Sequence, residues 1–119
     1  MPLQQTPPTE HTLTLRKPYF DLIADGTKTV EVRVGYPKVQ RMVAGDLLRF
    51  TCQDASLTTR IIGVRQYKSF VTMLDAEDAS AIGGPELNRE QLLAVIRDIY
   101  PAEKEALGVF ALHLARLSE

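Results

Sequence analysis

The hexapeptide TVEVRV, Thr29 to Val34, alternates valine with a polar or charged residue at every step. Side chains of an extended chain point to opposite faces in turn, so Val30, Val32 and Val34 share one face and Thr29, Glu31 and Arg33 the other. A helix does not present side chains at this period; the pattern dictates a strand with one buried face. The same alternation returns in VFALHLARL, where Phe110, Leu112 and Leu114 fall together, and in HTLTLR, where Leu13 and Leu15 do.

Two further strands lie between these. LLRFTC, Leu47 to Cys52, is an apolar run that predicts burial on both faces. SLTTRIIGVRQY, Ser56 to Tyr67, loses its alternation at Ile61-Ile62-Gly63, where a bulge or tight bend is expected. The turn residues around Asp54 make the two strands neighbours. Helices are marked at their ends. Pro18 suits a first helical turn, Tyr19, Leu22 and Ile23 share a side, and Gly26 ends the segment. Phe70, Met73 and Leu74 fit one helical turn. Asn88 with Gln91 forms a capping box ahead of Leu92, Ile96 and Ile99, flanked by Leu93 and Val95, and Tyr100-Pro101 closes that helix. Strands scattered through the chain with helices inserted and no regular βαβ rhythm predict an α+β fold: a small, mostly antiparallel β-barrel with two or three helices packed at its ends. The polar, proline-bearing MPLQQTPPTE reads as a flexible lead-in over residues 1–10, with a single domain over 11–119.

Composition limits the function. The 119 residues carry a net charge of −1, which argues against coating nucleic acid by bulk electrostatics but permits a local basic cleft. The one cysteine, Cys52, sits in an apolar run as a buried thiol and excludes an internal disulfide. With only His11 and His113 besides, no metal-ligand spacing is present and no cofactor is expected. No secretory signal or membrane-length apolar run is found, so the expected location is cytoplasmic and no membrane partner is expected.

The charges beside the valines raise the question of function. Lys28, Glu31 and Arg33 fall within six residues behind Gly26. The commonest meaning of such charges is a solvated strand face with a weak surface pair. Their alternative meaning is a site: lysine and arginine hold a phosphate or polarise a carbonyl, and the carboxylate accepts from an amino group or manages a proton. Lys28 has the parity of the buried valines. It is therefore expected at the strand entrance, where the turn after Gly26 lets it swing to the rim. Arg16, Lys17 and Tyr19 are candidates for a second wall, a cation and an aromatic suiting a phosphate and a stacked base. Their competing reading is a solvated strand end and a core anchor. Lys38 and Arg41 read as surface charges able to add phosphate contacts. His113 reads as a hydrogen-bonded structural histidine.

LTLRKPYF, then Gly26, Lys28, Glu31 and Arg33 as GxKxxExR, then Gly45-Asp46 before a hydrophobic strand, together resemble the ASCH family of the PUA-like superfamily. VIRDIYP through GVFALHLARL also resembles family members, so the similarity runs from about residue 11. The resemblance implies a β-barrel with a cleft beside the GxKxxExR strand, suited to RNA or a nucleotide-like small molecule. It also places the corner at Tyr67-Lys68-Ser69 near the cleft, with Ser69 as a ligand-binding hydroxyl. Some relatives hydrolyse the acetyl amide of acetylated cytidine, and ribonuclease activity is associated with the family. The amidohydrolase branch uses a lysine, a threonine and a glutamate. Lys28 matches the lysine, Glu31 stands where the threonine would be, and Glu86 is the nearest candidate for the glutamate. A carboxylate does not replace an activated hydroxyl.

Three readings stay open from the sequence. One is an RNA- or nucleotide-binding domain with Lys28, Glu31 and Arg33 in its cleft. A second is a small hydrolase on a modified nucleoside or RNA, with Lys28 and Glu31 catalytic. The third is a protein-interaction domain without catalysis.

Overall fold

In the computed structural model, which describes residues 7–117, five strands form one sheet in the order β1-β3-β4-β5-β2. They are β1 (Glu10–Thr14), β2 (Val30–Val34), β3 (Leu47–Cys52), β4 (Ala55–Tyr67) and β5 (Val109–Arg116). Six helical segments are present among the described residues: α1 (Lys17–Ala24), α2 (Pro37–Gln40), α3 (Phe70–Ala76), α4 (Ala79–Gly83), α5 (Arg89–Ile99) and α6 (Ala102–Glu105). The first six positions of the expected lead-in lie outside the described residues.

The sheet departs from the expected barrel. Three strand pairs are antiparallel, but β1 runs parallel to β3. The strands β1 and β2 are the two sheet edges, and no ladder joins them. The result is a mixed half-barrel, since five strands are few to close around a filled interior. Side chains span the gap instead. Arg33 Nη2 donates to Thr14 O at 2.9 Å, and Lys38 Nζ donates to Thr12 O. The helix count also exceeds the expected two or three. Here α2, α4 and α6 have four, five and four residues, too short to show a 3.6-residue period.

Alternation along β2 sorts its side chains as the sequence dictates. Val30, Val32 and Val34 lie opposite His113, Ala111 and Val109, on the face covered by Phe70, Met73, Ile82, Leu92 and Ile96 of α3, α4 and α5. Burying each valine contributes roughly 1.5–3 kcal/mol. Glu31 and Arg33 lie opposite Leu112 and Phe110, facing into the half-barrel. A second cluster fills that concave side, built from Leu13, Leu15, Phe20, Ile23, Leu48, Phe50, Ile61, Leu112 and Leu114.

Several local expectations hold in the structure. The register of β4 against β5 shifts between Ile61 and Gly63, leaving Ile62 exposed on the bulge. Asn88 accepts from the Gln91 amide and Gln91 returns a bond to the Asn88 amide, closing the capping box of α5. Phe70, Met73 and Leu74 are the buried face of α3. One is corrected: β3 is buried on a single face, with Leu48, Phe50 and Cys52 inside and Arg49 exposed. Its outer side has no covering layer, so the arginine interrupting the apolar run meets solvent.

Candidate ligand cleft

The path into the cleft begins where α1 stops. Gly26 takes φ +88°, a left-handed conformation that glycine adopts freely. The Lys28 amide then bonds to Leu22 O and the Thr29 amide to Ala81 O, each at 2.9 Å. Lys28 therefore precedes the strand and is released from its parity. The bend turns it inward, however, and not to the rim as expected. Its side chain is 3% exposed.

Burial without partners would be costly for an ammonium. Lys28 Nζ donates to Val30 O at 2.6 Å and to Ile82 O at 2.7 Å, and lies 3.1 Å from Glu31 Oε1. Three acceptors match three ammonium protons. The Tyr19 ring adds a cation–π contact, with Nζ 5.9 Å from its centroid. Glu31 Oε2 takes the other cation, Arg33 Nε, at 2.5 Å. Arg33 thus reaches Glu31 with one nitrogen and β1 with another.

This chain of charges sets its own ionisation. Burial pushes the Glu31 carboxyl up, but Lys28 and Arg33 on either side outweigh it and hold it below the usual range. Burial lowers the Lys28 ammonium, and Glu31 opposes that only in part. For Arg33 the attraction of Glu31 exceeds the cost of burial and raises it.

A cavity of about 180 Å³ opens on this group. Thr14, Leu15, Arg16 and Tyr19 line one side, Ile82, Leu92, Val95, Ile96, Ile99 and Tyr100 the other, with Lys28, Glu31, Val32 and Arg33 between. Residues from both sheet faces meet there because the cavity lies along the free edge of β2. The structure thus brings Lys28, Glu31, Arg33, Arg16 and Tyr19 together. Lys17 and Ser69 are not among the lining residues. Lys17 is exposed and paired with Asp21 one turn along α1, at 2.9 Å. Ser69 caps α3 by accepting from the Thr72 amide, a role its place before an apolar triplet made readable. Glu86 is exposed in the turn before α5 and also outside the lining. Asp46 of the Gly45-Asp46 pair bonds His11 Nε2 at 2.7 Å and the Val43 amide, fixing the approach to β3. His113 meets Glu77 at 3.0 Å, and Tyr67 donates to the same carboxylate at 2.6 Å.

Tyr100 was legible only as the end of α5, yet it lines the cavity. Burial raises its hydroxyl pKa against the pull of the Arg33 charge. An aromatic at the close of an amphipathic helix was the available signal, and it served equally for a core residue.

A five-stranded half-barrel carrying a charged cleft at its open edge defines an α+β domain of the PUA-like class. The chain belongs to the ASCH family: the model described as "ASCH domain" matches residues 13–118. Among solved structures, the hypothetical protein PH0355 is similar with TM-score 0.84 and 27% identity, over 92% of this chain and 100% of that one. The solution structure of protein PF0455 from Pyrococcus furiosus is similar with TM-score 0.75 and 28% identity, over 93% and 100%. An ASCH protein from Zymomonas mobilis shares the fold with TM-score 0.58 and 16% identity, over 90% of this chain and 67% of its own. No curated protein matches the sequence.

Proposed function

We propose that the cleft binds a nucleotide-like small molecule or one unpaired nucleotide of a short RNA, with its base inside and its phosphate outside. The observation that carries this reading is the cavity's mixed lining. Most of its wall is apolar and includes the Tyr19 ring, the buried Lys28 and Glu31 lie in the same wall, and Arg16 is exposed. An apolar cavity of about 150 Å³ takes one benzene ring, so a single base-sized ring fits and the sugar and phosphate stay at the rim. Family membership is consistent with an RNA ligand. A net charge of −1 on the chain favours a small or single-stranded partner over long duplex.

In this reading Glu31 accepts from the base, Arg33 and Lys28 position that carboxylate, and Arg16 with Tyr19 meets phosphate and ring. The hydrolytic reading has less support, because the Lys28 protons are all engaged and no threonine stands at position 31. Titration of labelled protein with nucleoside monophosphates and short single-stranded RNAs tests the proposal. Binding is expected at the cavity residues, weakened about tenfold by Tyr19→Ala through lost stacking. Equal affinity in Tyr19→Ala and Arg16→Ala would remove the cleft from the binding event, as would tight duplex binding with a steep salt dependence.

A further inference from the structure

The hydrogen-bond register of β2 leaves one main-chain donor and acceptor unused beside the cavity. Two bonds fix that register: Leu114 N donates to Thr29 O, and Gly35 N donates to Gly108 O, each at 2.9 Å. In an antiparallel pair, residues that exchange bonds alternate with residues whose N–H and C=O point away from the partner. Positions 29, 31, 33 and 35 therefore face β5, and Val30, Val32 and Val34 turn their main-chain groups to the free edge. Their side chains still pack under α3, α4 and α5, as the register requires.

Two of these three outward residues are partly engaged. Val30 O receives Lys28 Nζ, and Val34 O receives the Tyr36 amide at 2.8 Å. Between them, neither the N–H nor the C=O of Val32 has a hydrogen-bond partner among the described residues. Val32 also lines the cavity. Such a pair in a half-enclosed apolar space is costly to leave unmade once water is expelled.

The geometry points to Val32 as the residue that reads the ligand, through its own backbone: its N–H donates to, and its C=O accepts from, the Watson–Crick edge of an unpaired base. This rests on the reading of the cleft as a base site and goes beyond it by naming the recognising atoms. Each of the four bases carries an adjacent donor and acceptor on that edge, and proteins reading unpaired bases use it. Addition of an extended peptide strand fits less well, because it needs a row of free groups and the Val30 and Val34 carbonyls are taken. A backbone pair does not by itself choose among bases. It requires only that the edge be unblocked, and Glu31 beside it adds an acceptor for an amino group.

The test uses the whole chain, ¹⁵N-labelled, titrated with the four nucleoside 5′-monophosphates and with counterparts methylated on the Watson–Crick edge: N1-methyladenosine, N1-methylguanosine, N3-methylcytidine and N3-methyluridine monophosphates. For the base that binds, the Val32 amide should shift and exchange more slowly with solvent, and methylation should weaken binding about tenfold or more. Val32→Pro removes the donor at an edge position that needs no ladder bond and should weaken the same nucleotide comparably. The methylated ligands test the native chain should that variant not fold. A nucleotide that shifts Leu15, Ile82 and Ile96, leaves the Val32 amide unmoved and tolerates methylation would overturn the inference and leave the cleft reading intact. No shift at any cavity residue would remove both. Joint protection of the Val30, Val32 and Val34 amides by an added peptide would replace it with strand addition.

Discussion

Lys28 Nζ donates to the carbonyl of Ile82, 54 positions further along the chain, at 2.7 Å. The bond ties the entrance of β2 to α4 and leaves the ammonium facing Glu31. Structure and site therefore depend on one side chain.

Removing that side chain should be expensive. Lys28→Met leaves the Val30 and Ile82 carbonyls without a donor and strips Glu31 of one of its two cations. A loss of about 3 kcal/mol in unfolding free energy is expected from urea denaturation. The double variant Lys28→Met with Glu31→Gln should cost less than the two single losses summed, because each alone strands the other's charge. Simple additivity would show that the pair does not act as a unit.

Acid should separate the native protein from Glu31→Gln. The folded value of Glu31 lies below its ordinary 4.5, so the unfolded chain binds its proton more readily. Its stabilisation is fully present above about pH 4.5 and fades as pH falls from there through the lower folded value. The stability gap between native protein and Glu31→Gln should thus narrow below pH 4.5 in denaturation series. Asp46, also held low by the His11 bond, is common to both proteins and cancels in the difference. A gap that stays constant to pH 3 would mean the carboxylate gains nothing from its neighbours.

Arg33→Lys is not a conservative change here. Arginine uses Nε for Glu31 and Nη2 for Thr14 O, and an ammonium cannot occupy both positions at once. We expect a stable fold with faster amide exchange along β1 and weaker ligand binding. Unchanged exchange at Leu13 and Leu15, whose amides pair with β3, would show that the arginine does not fasten β1.

Gly35 occupies a position closed to any side chain. A Cβ there would lie 2.3 Å from Leu107 O and 2.7 Å from a Phe110 ring carbon. Gly35→Ala should destabilise by about 1–3 kcal/mol, whereas Asn88→Ala should cost about 1 kcal/mol by uncapping α5. Thermal melts rank the two, and the reverse order would contradict this packing.

Much of this was readable from local patterns. The valines of β2, the bulge at Ile61 and Gly63, and the Asn88–Gln91 box each announce themselves within a few residues. What escaped depends on distance along the chain. Lys28 looked destined for the rim because nothing near it reveals Ile82 as its acceptor. The parallel pairing of β1 with β3, which leaves the barrel unclosed, has no signature in either strand. Ser69 was read only as a ligand hydroxyl, and the geometry displays it as the cap of α3, accepting from the Thr72 amide. Tyr100 passed as a helix terminator because its cavity is assembled from β1, α1, β2, α4 and α5 together.

The side chains that span the gap between β1 and β2 bear on the solubility of the domain. Bare strand margins are templates on which further copies can stack, and this sheet has two of them. Arg33 and Lys38 fill the β1 carbonyls at Thr14 and Thr12 with charged donors, which an incoming backbone amide displaces only with difficulty. The β2 margin lines the cavity at Val32, and the Val30 and Val34 carbonyls on either side already hold donors. An incoming strand would find only a broken row of groups to pair with.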